Sequence, residues 1–423
     1  MGEIIARPED TRIRDFEMAI VRPFEALRPV AERASEVAAV PYDVVTTEEA
    51  RALASGNPWS FLHVSRAEID LPEGTDPHSR DVYRKAAENL ERLSRDCPLT
   101  RESERAFYVY RLRMGDHVQT GIAGVFSVDE YDSDRIRKHE RTRRDKEDDR
   151  TRHIVALRAQ TGPVFLTYRD RAGIDDLVAA ATREKALYDF EAEDGVAHTI
   201  WRVGAELSGR LEKGFAEVPL LYIADGHHRA ASASRAREEF RERSDRAGGE
   251  AEYDFFLGVA FPAGQVRILP YNRLVSDLGG RSPDEFLFAL KQRLPVAMDA
   301  PPAPTRRGEV SMYLAGRWYG LRLPSGDPSS PALDVTLLQD SVFEPLLGVR
   351  DVRNDQRIEF VGGARGTAAL ERAVDERRAA VAFSLYRVEV EDLMRIADAN
   401  EIMPPKSTWF EPKLRDGLLI HEI

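Results

Sequence analysis

The chain has 423 residues, 42% of them apolar, which supports one large domain or two to three ordinary ones and excludes wholesale disorder. A net charge of −12 argues against a general nucleic-acid coat, and no stretch approaches the roughly 18 apolar residues that span a bilayer. The single cysteine, Cys97, rules out an internal disulfide, and residues 1–15 are charged with no apolar signal core, so the expected location is cytoplasmic.

In chain order, residues 1–15 read as a loose leader and 24–41 as a short strand and loop. Thr46 caps a helix with Glu49 as its capping-box partner, and Asn57-Pro58 ends it. Residues 60–64 read as a strand. Residues 79–94 form an amphipathic helix with Val82, Ala86, Leu90 and Leu93 on one stripe. Residues 106–114 and 119–128 make a hairpin across Gly115-Asp116. Strands are expected at 162–168, 199–203, 219–224, 255–261 and 266–270, and helices at 175–184, 208–215 and 228–243. Ser282 caps a helix to residue 294. Proline-rich connectors at 301–307 and 324–331 flank a hairpin over 309–323. The remainder alternates helix 334–347, strand 358–361, helix 366–378, strand 380–386 and helix 390–399 closed by Asn400. That alternation predicts parallel crossovers. The fold class is mixed α/β, with a main domain over 16–300 and an α/β segment over 301–423 closing the site.

The most informative segment is Asp225-Gly226-His227-His228-Arg229, where an apolar strand breaks through glycine into a helix. Such a corner directs backbone N–H groups and the positive end of the helix dipole at one spot, which suits a phosphate, a metal–phosphate or a small anionic substrate. Asp225 either caps the helix or serves as a catalytic or metal-binding carboxylate. Adjacent histidines diverge by about 100° on a helix, so His227 and His228 do not converge on one metal. Arg229 opposes the dipole, and an anion beside it would offset that cost.

Residues 135–153 hold nine Lys/Arg and five Asp/Glu in nineteen residues, a solvated helix face on composition alone. Within it, Lys138-His139-Glu140-Arg141-Thr142 sets one carboxylate among cations, where it can act as a base or hold a hydroxyl substrate. With only eight lysines among 61 basic residues, Lys138, Lys146 and Lys406 draw notice. Met403-Pro404-Pro405-Lys406-Ser407-Thr408-Trp409-Phe410-Glu411-Pro412-Lys413 offers hydroxyls and a lysine, with aromatics that dock it onto the body. Gly362-Gly363-Ala364-Arg365-Gly366 is either an anion loop or a plain turn.

Several of these motifs, in this order, resemble a bacterial and archaeal family of unknown function numbered 1015. They are Arg22-Pro23-Phe24, Val40-Pro41-Tyr42-Asp43-Val44-Val45, Asn57-Pro58-Trp59-Ser60-Phe61-Leu62, His139-Glu140-x-Thr142, Asp225-Gly226-His227-His228-Arg229 and Pro404 to Phe410. The Asp-Gly-His-His-Arg element also resembles the active-site turn of free-serine kinases of the ParB/sulfiredoxin-like superfamily. That resemblance implies a ParB-like phosphate-binding core and a kinase making O-phosphoserine from free L-serine. The donor would be ATP, ADP or pyrophosphate with Mg²⁺. Glu140 would then be the base, and Asp225 would hold the Mg²⁺ or share that role. Gly226, His227, His228, Arg229, Lys146, Lys406, Ser407 and Thr408 would bind phosphate, and His139, Thr142 and Arg365 the acceptor. The implied partners are small molecules, without nucleic acid or membrane, in a possible homodimer. A ParB-like nucleotide-hydrolysing regulator and a metal-dependent hydrolase built on His139, Glu140 and the 227–228 histidines are the competing functions.

Overall fold

The alternating apolar pattern of the strongest strands is matched by two cores on opposite faces of one sheet. Along Phe255–Pro262, Phe255, Leu257, Val259 and Phe261 enter one core, while Phe256 and Ala260 enter the other. Leu221–Asp225 divides the same way, with Tyr222 and Ala224 against Leu221 and Ile223. Each fully buried Val, Leu, Ile or Phe among them contributes about 1.5–3 kcal/mol. The computed structural model describes residues 19–96, 98–243, 250–324 and 332–423. The leader over 1–15, Cys97 and most of the 324–331 connector lie outside the described residues.

The central sheet has nine strands. From one edge it runs Ile136–Arg137, Leu221–Asp225, Val164–Tyr168, Phe255–Pro262, His117–Ser127, Tyr108–Met114, Val196–Arg202 and Tyr188–Glu191. Val21–Arg22 pairs with the end of His117–Ser127. Two pairings are parallel, Leu221–Asp225 with Ile136–Arg137 and Phe255–Pro262 with Val164–Tyr168. Helices Ala172–Ala181, Ala205–Phe215 and His227–Glu242 cover one face through Ile174, Leu177, Leu211, Phe215, Ala230 and Ala233. Leu393, Met394, Phe410, Leu414 and Leu418, from the end of the chain, cover the other.

A second, fully antiparallel sheet of six strands is built from Tyr271–Val275, Val296–Met298, Glu309–Leu314, Arg317–Arg322, Ile358–Gly362 and Val381–Leu385. Two of these strands precede residue 301, so the second sheet does not coincide with residues 301–423. Ile358–Gly362 and Val381–Leu385 do run parallel through the helix Ala368–Asp375. However, Tyr271–Val275 lies between them, antiparallel to both, so the expected parallel ladder is split. An earlier strand had already taken the position that a simple crossover would fill.

Two other expectations need correction. Residues 60–64 are not a strand: Leu62–Ser65 is a helical turn, because Phe61, Leu62 and Val64 must all reach the core under the Arg80–Arg95 helix. The helix expected over 334–347 contains a π-helical stretch, Gln339–Phe343, between Asp334–Leu338 and Glu344–Leu347. The Thr46–Glu49 capping box, the Ser282 cap and the stripe of Val82, Ala86, Leu90 and Leu93 form as expected, and Glu285 completes a capping box with Ser282. Among the described residues no helix is long and apolar enough to cross a membrane.

The C-terminal stretch ties these layers together. Trp409–Phe410 pairs with Ile268–Leu269, and Ile420–Glu422 pairs with both Ala26–Pro29 and Ala159–Gln160. Between them Gly417 turns at φ 84°, and a Cβ there would lie 2.4 Å from Phe61 Cγ, so only glycine fits.

Candidate active site

The parallel register Ile136↔Leu221 and Tyr222↔Arg137 sends both chains off the sheet edge side by side. His139 and Glu140 therefore emerge next to Asp225, closing the 85-residue gap between the two motifs. The Met403 N–H donates to the His139 carbonyl (2.9 Å), which brings in the segment carrying Lys406 and Lys413.

Gly226 is the N-cap of the helix His227–Glu242, at φ 95° and ψ 29°, a left-handed conformation that favours glycine. No side chain caps this helix, so Asp225 is not its cap. Instead, Asp225 Oδ1 accepts from Lys413 Nζ at 3.3 Å. The Asp225 side chain is 31% exposed although protein surrounds it, as in a cleft. Burial alone would raise its pKa, but Lys413, Arg229 and the Lys413 hydrogen bond hold it down at about 2. Glu140 is displaced the opposite way. Burial pushes its pKa up, with nearby Asp225 and Asp43 adding to the rise and Lys406 and Arg353 opposing it. Lys406 is exposed, yet the protein around it works against its charge; Tyr271, Glu140 and Asp43 outweigh that and raise its pKa. The Lys406 ammonium sits 5.6 Å from the Tyr271 ring centre.

The two histidines diverge, as helical geometry requires. His228 Nε2 accepts from the Arg143 N–H (3.0 Å), which leaves its proton on Nδ1. Burial lowers its pKa. His227 turns inward onto His139, the rings edge-to-face at 4.5 Å, and His227 Nε2 receives the His139 backbone N–H at 3.5 Å. Burial drives both imidazoles toward neutrality, His139 to about 4 and His227 well below the ordinary value. Neither ring nitrogen of His139 has a partner in hydrogen-bond geometry, although the Ile223 carbonyl lies close enough to favour a proton on it.

Arg229 also faces inward. Its Nη1 donates to the Pro163 carbonyl at 2.6 Å, and Nη2 lies 3.6 Å from Asp43. Burial works against its charge, but Asp43, Asp416 and Asp225 more than restore it. The dipole mismatch is thus offset by carboxylates of the chain itself. Asp416 is buried, and burial pushes its pKa up to about 7 against the pull of Arg229. Behind Arg229 lies a cavity of about 40 Å³, whose lining includes Tyr42, Arg150, His153, Gln160 and Asp416.

The remaining expected residues are spread more widely. Lys146 lies within electrostatic reach of His228. Thr142 is half-buried in the loop before Arg144–Leu157, and Thr408 is half-buried beside Trp409. The Ser407 hydroxyl donates to the Pro404 carbonyl (2.6 Å) and is committed to holding its own loop. Arg365 is exposed in the turn after Ile358–Gly362. Sequence reasoning missed Lys413, Asp43, Arg353 and Asp416. Tyr42-Asp43 did carry a signal, as part of the family resemblance, and Lys413 as the last residue of the segment that begins at Met403. Arg353 and Asp416 carried none.

The chain belongs to the family described as protein of unknown function (DUF1015), whose model matches residues 21–339, as the motifs led us to expect. No curated protein matches. Among solved structures, a free serine kinase in complex with AMP is similar at 13% identity and a TM-score of 0.34, over 69% of this chain and 90% of that one. SbnI with a C-terminal truncation, from Staphylococcus aureus, is similar at 12% identity and a TM-score of 0.35, over 70% and 85%. A conserved hypothetical protein from Pyrococcus furiosus is similar at 13% identity and a TM-score of 0.34, over 70% and 93%.

Proposed function

We propose that the protein is a phosphotransferase with an alcohol acceptor, a kinase of free L-serine that forms O-phosphoserine from ATP, ADP or pyrophosphate. The supporting observation is a pair of carboxylates in one cleft with pKa values displaced in opposite directions, each beside a lysine. Phosphoryl transfer asks mainly for positioning and charge neutralisation, with a base for the attacking hydroxyl. Glu140, with its raised pKa, is suited to take that proton near neutral pH, whereas Asp225 stays ionised throughout.

In the step, the serine Oγ forms a bond to the terminal phosphorus and its proton passes to Glu140. The bond from phosphorus to the bridging oxygen breaks, and the leaving phosphate keeps the electron pair. Lys406 and Lys413 neutralise the phosphoryl oxygens. The uncapped N–H groups after Gly226 and the His228 Nδ1–H donate to the donor phosphates. Mg²⁺ ordinarily takes one or two carboxylates and completes its shell with phosphate and water. Asp225 fits such an ion, sharing its carboxylate with Lys413, and the bound ion would supply further neutralisation of phosphate charge.

The test is to incubate purified protein with L-serine, Mg²⁺ and each of ATP, ADP and pyrophosphate, and to detect phosphoserine by mass. Phosphoserine with at least one donor supports the assignment. Donor hydrolysis without phosphoserine removes the serine kinase.

A further inference from the structure

We propose that His139, Glu140 and His227 form a binding site for one transition-metal ion of the zinc or cobalt class, distinct from the Mg²⁺ expected at Asp225. The three side chains each offer one ligand atom, and these atoms all lie within 4.8 Å of one another. Bonds of about 2.0–2.2 Å in tetrahedral geometry place ligands roughly 3.5 Å apart, so the cluster needs only a modest contraction. Glu140, half-buried on a loop, can supply most of it.

Two observations point to a ligand here rather than to packing alone. His139 is 2% exposed, yet neither ring nitrogen has a hydrogen-bond partner. A buried polar atom left unpaired is costly, so such a group calls for an explanation. The Ile223 carbonyl, close to the ring though outside hydrogen-bond geometry, is placed to take the proton of one nitrogen while the other holds a metal, the usual outer arrangement of a ligating histidine. The other observation is that His227 approaches the same point with only a long contact, 3.5 Å, to the His139 backbone N–H. Two imidazoles and one carboxylate suit zinc, cobalt or nickel, whereas Mg²⁺ prefers oxygen throughout. Three protein ligands leave a fourth position open for water or for the substrate hydroxyl, and Glu140, bound through one carboxylate oxygen, keeps its other oxygen for the proton of a hydroxyl held there.

The test uses full-length protein stripped with a chelator and titrated with Co²⁺. A visible absorption band of four- or five-coordinate cobalt, saturating at one ion per chain and displaced by Zn²⁺ but not by Mg²⁺ in about 100-fold excess, is the expected result. His139→Asn and His227→Asn should weaken Co²⁺ binding by at least about 10–100-fold. Because both histidines are buried, Glu140→Gln serves as the second variant. It sits at the cleft surface, and with its fold checked by circular dichroism it should weaken binding by a similar factor. Absence of the band, displacement by Mg²⁺, or unchanged affinity in Glu140→Gln overturns the site. This readout needs no phosphate donor, so its failure is separate from failure of the phosphoserine assay.

Discussion

Two buried histidines, His198 and His139, meet the same desolvation in opposite ways. His198 is 0% exposed, in the strand Val196–Arg202. Arg415 Nε donates to its Nε2 at 3.2 Å, and its Nδ1–H therefore donates to the Tyr110 hydroxyl at 2.9 Å. Arg415 in turn pairs with Asp194. His139 is almost as deep, but both ring nitrogens lack such partners. Burial lowers the pKa of both, to about 3 for His198 and about 4 for His139. A depressed pKa therefore does not tell a structural histidine from a functional one. Partner satisfaction does: a completed network fixes the fold, and an incomplete one leaves capacity for a ligand.

The largest effect should come from the unsatisfied corner. Glu140→Gln keeps the shape of a half-buried side chain and removes the base, so phosphoserine formation should fall by about 10²–10⁴-fold with the melting temperature little changed. Turnover within a few-fold of wild type would put the base elsewhere.

Stability should separate the two corners in the reverse sense. His198→Phe strands the Tyr110 hydroxyl and Arg415 Nε, and should cost about 2–4 kcal/mol in urea unfolding. His139→Phe breaks no ring hydrogen bond of ordinary geometry, only the looser approach of the Ile223 carbonyl, and should stay within about 1 kcal/mol of wild type while abolishing cobalt binding. Equal losses from both would break the comparison.

Acid sharpens it further. A histidine whose folded pKa lies below its unfolded value of about 6.5 takes up its proton first in the unfolded chain, so its burial costs stability as pH falls. For His198 that window runs from about 6.5 down to about 3. Asp416, with its pKa raised to about 7, works the other way and gains stability as pH falls below 7. The difference between wild type and His198→Phe isolates the histidine: the destabilisation measured at pH 7 should shrink steadily toward pH 4. A difference that grows on acidification would mean that His198 is charged in the folded protein.

The smallest effect belongs to a site remote from both corners. Thr46 accepts the Glu49 N–H at 3.2 Å, and Glu49 accepts the Thr46 N–H at 2.8 Å, both at the surface. Thr46→Ala should cost about 1 kcal/mol, with phosphate transfer and cobalt affinity unchanged. It sets the scale of an ordinary local loss against which the two histidines are read.

Much of this was legible in local pattern. The hairpin Tyr108–Met114 with His117–Ser127, the capping boxes at Thr46 and Ser282, and the break from Leu221–Asp225 into His227–Glu242 follow from alternation, turn residues and caps. Local pattern misled where packing outweighed it. Leu62–Ser65 is as apolar as a strand and winds into a helical turn because several of its residues must reach the core below Arg80–Arg95. The charged run over 135–153 reads as a solvated face, yet Asp149, Thr151, His153 and Ile154 are buried along its helix.

At the site, the sequence by itself determined which residues could do chemistry: the Asp225-Gly226 turn, which only glycine adopts at ease, the divergence of His227 and His228, and Glu140 among cations. Only the tertiary structure decided which of them meet. The parallel pairing of Ile136–Arg137 with Leu221–Asp225 brings His139 to His227, and the returning C-terminal segment brings Lys413 to Asp225 and Asp416 toward Arg229. The reason is physical. Spacing along the chain governs turns and helix faces a few residues apart, whereas pKa displacement, ion pairing and unsatisfied hydrogen bonds depend on burial and on neighbours remote in sequence, such as Asp225 and Lys413, 188 residues apart.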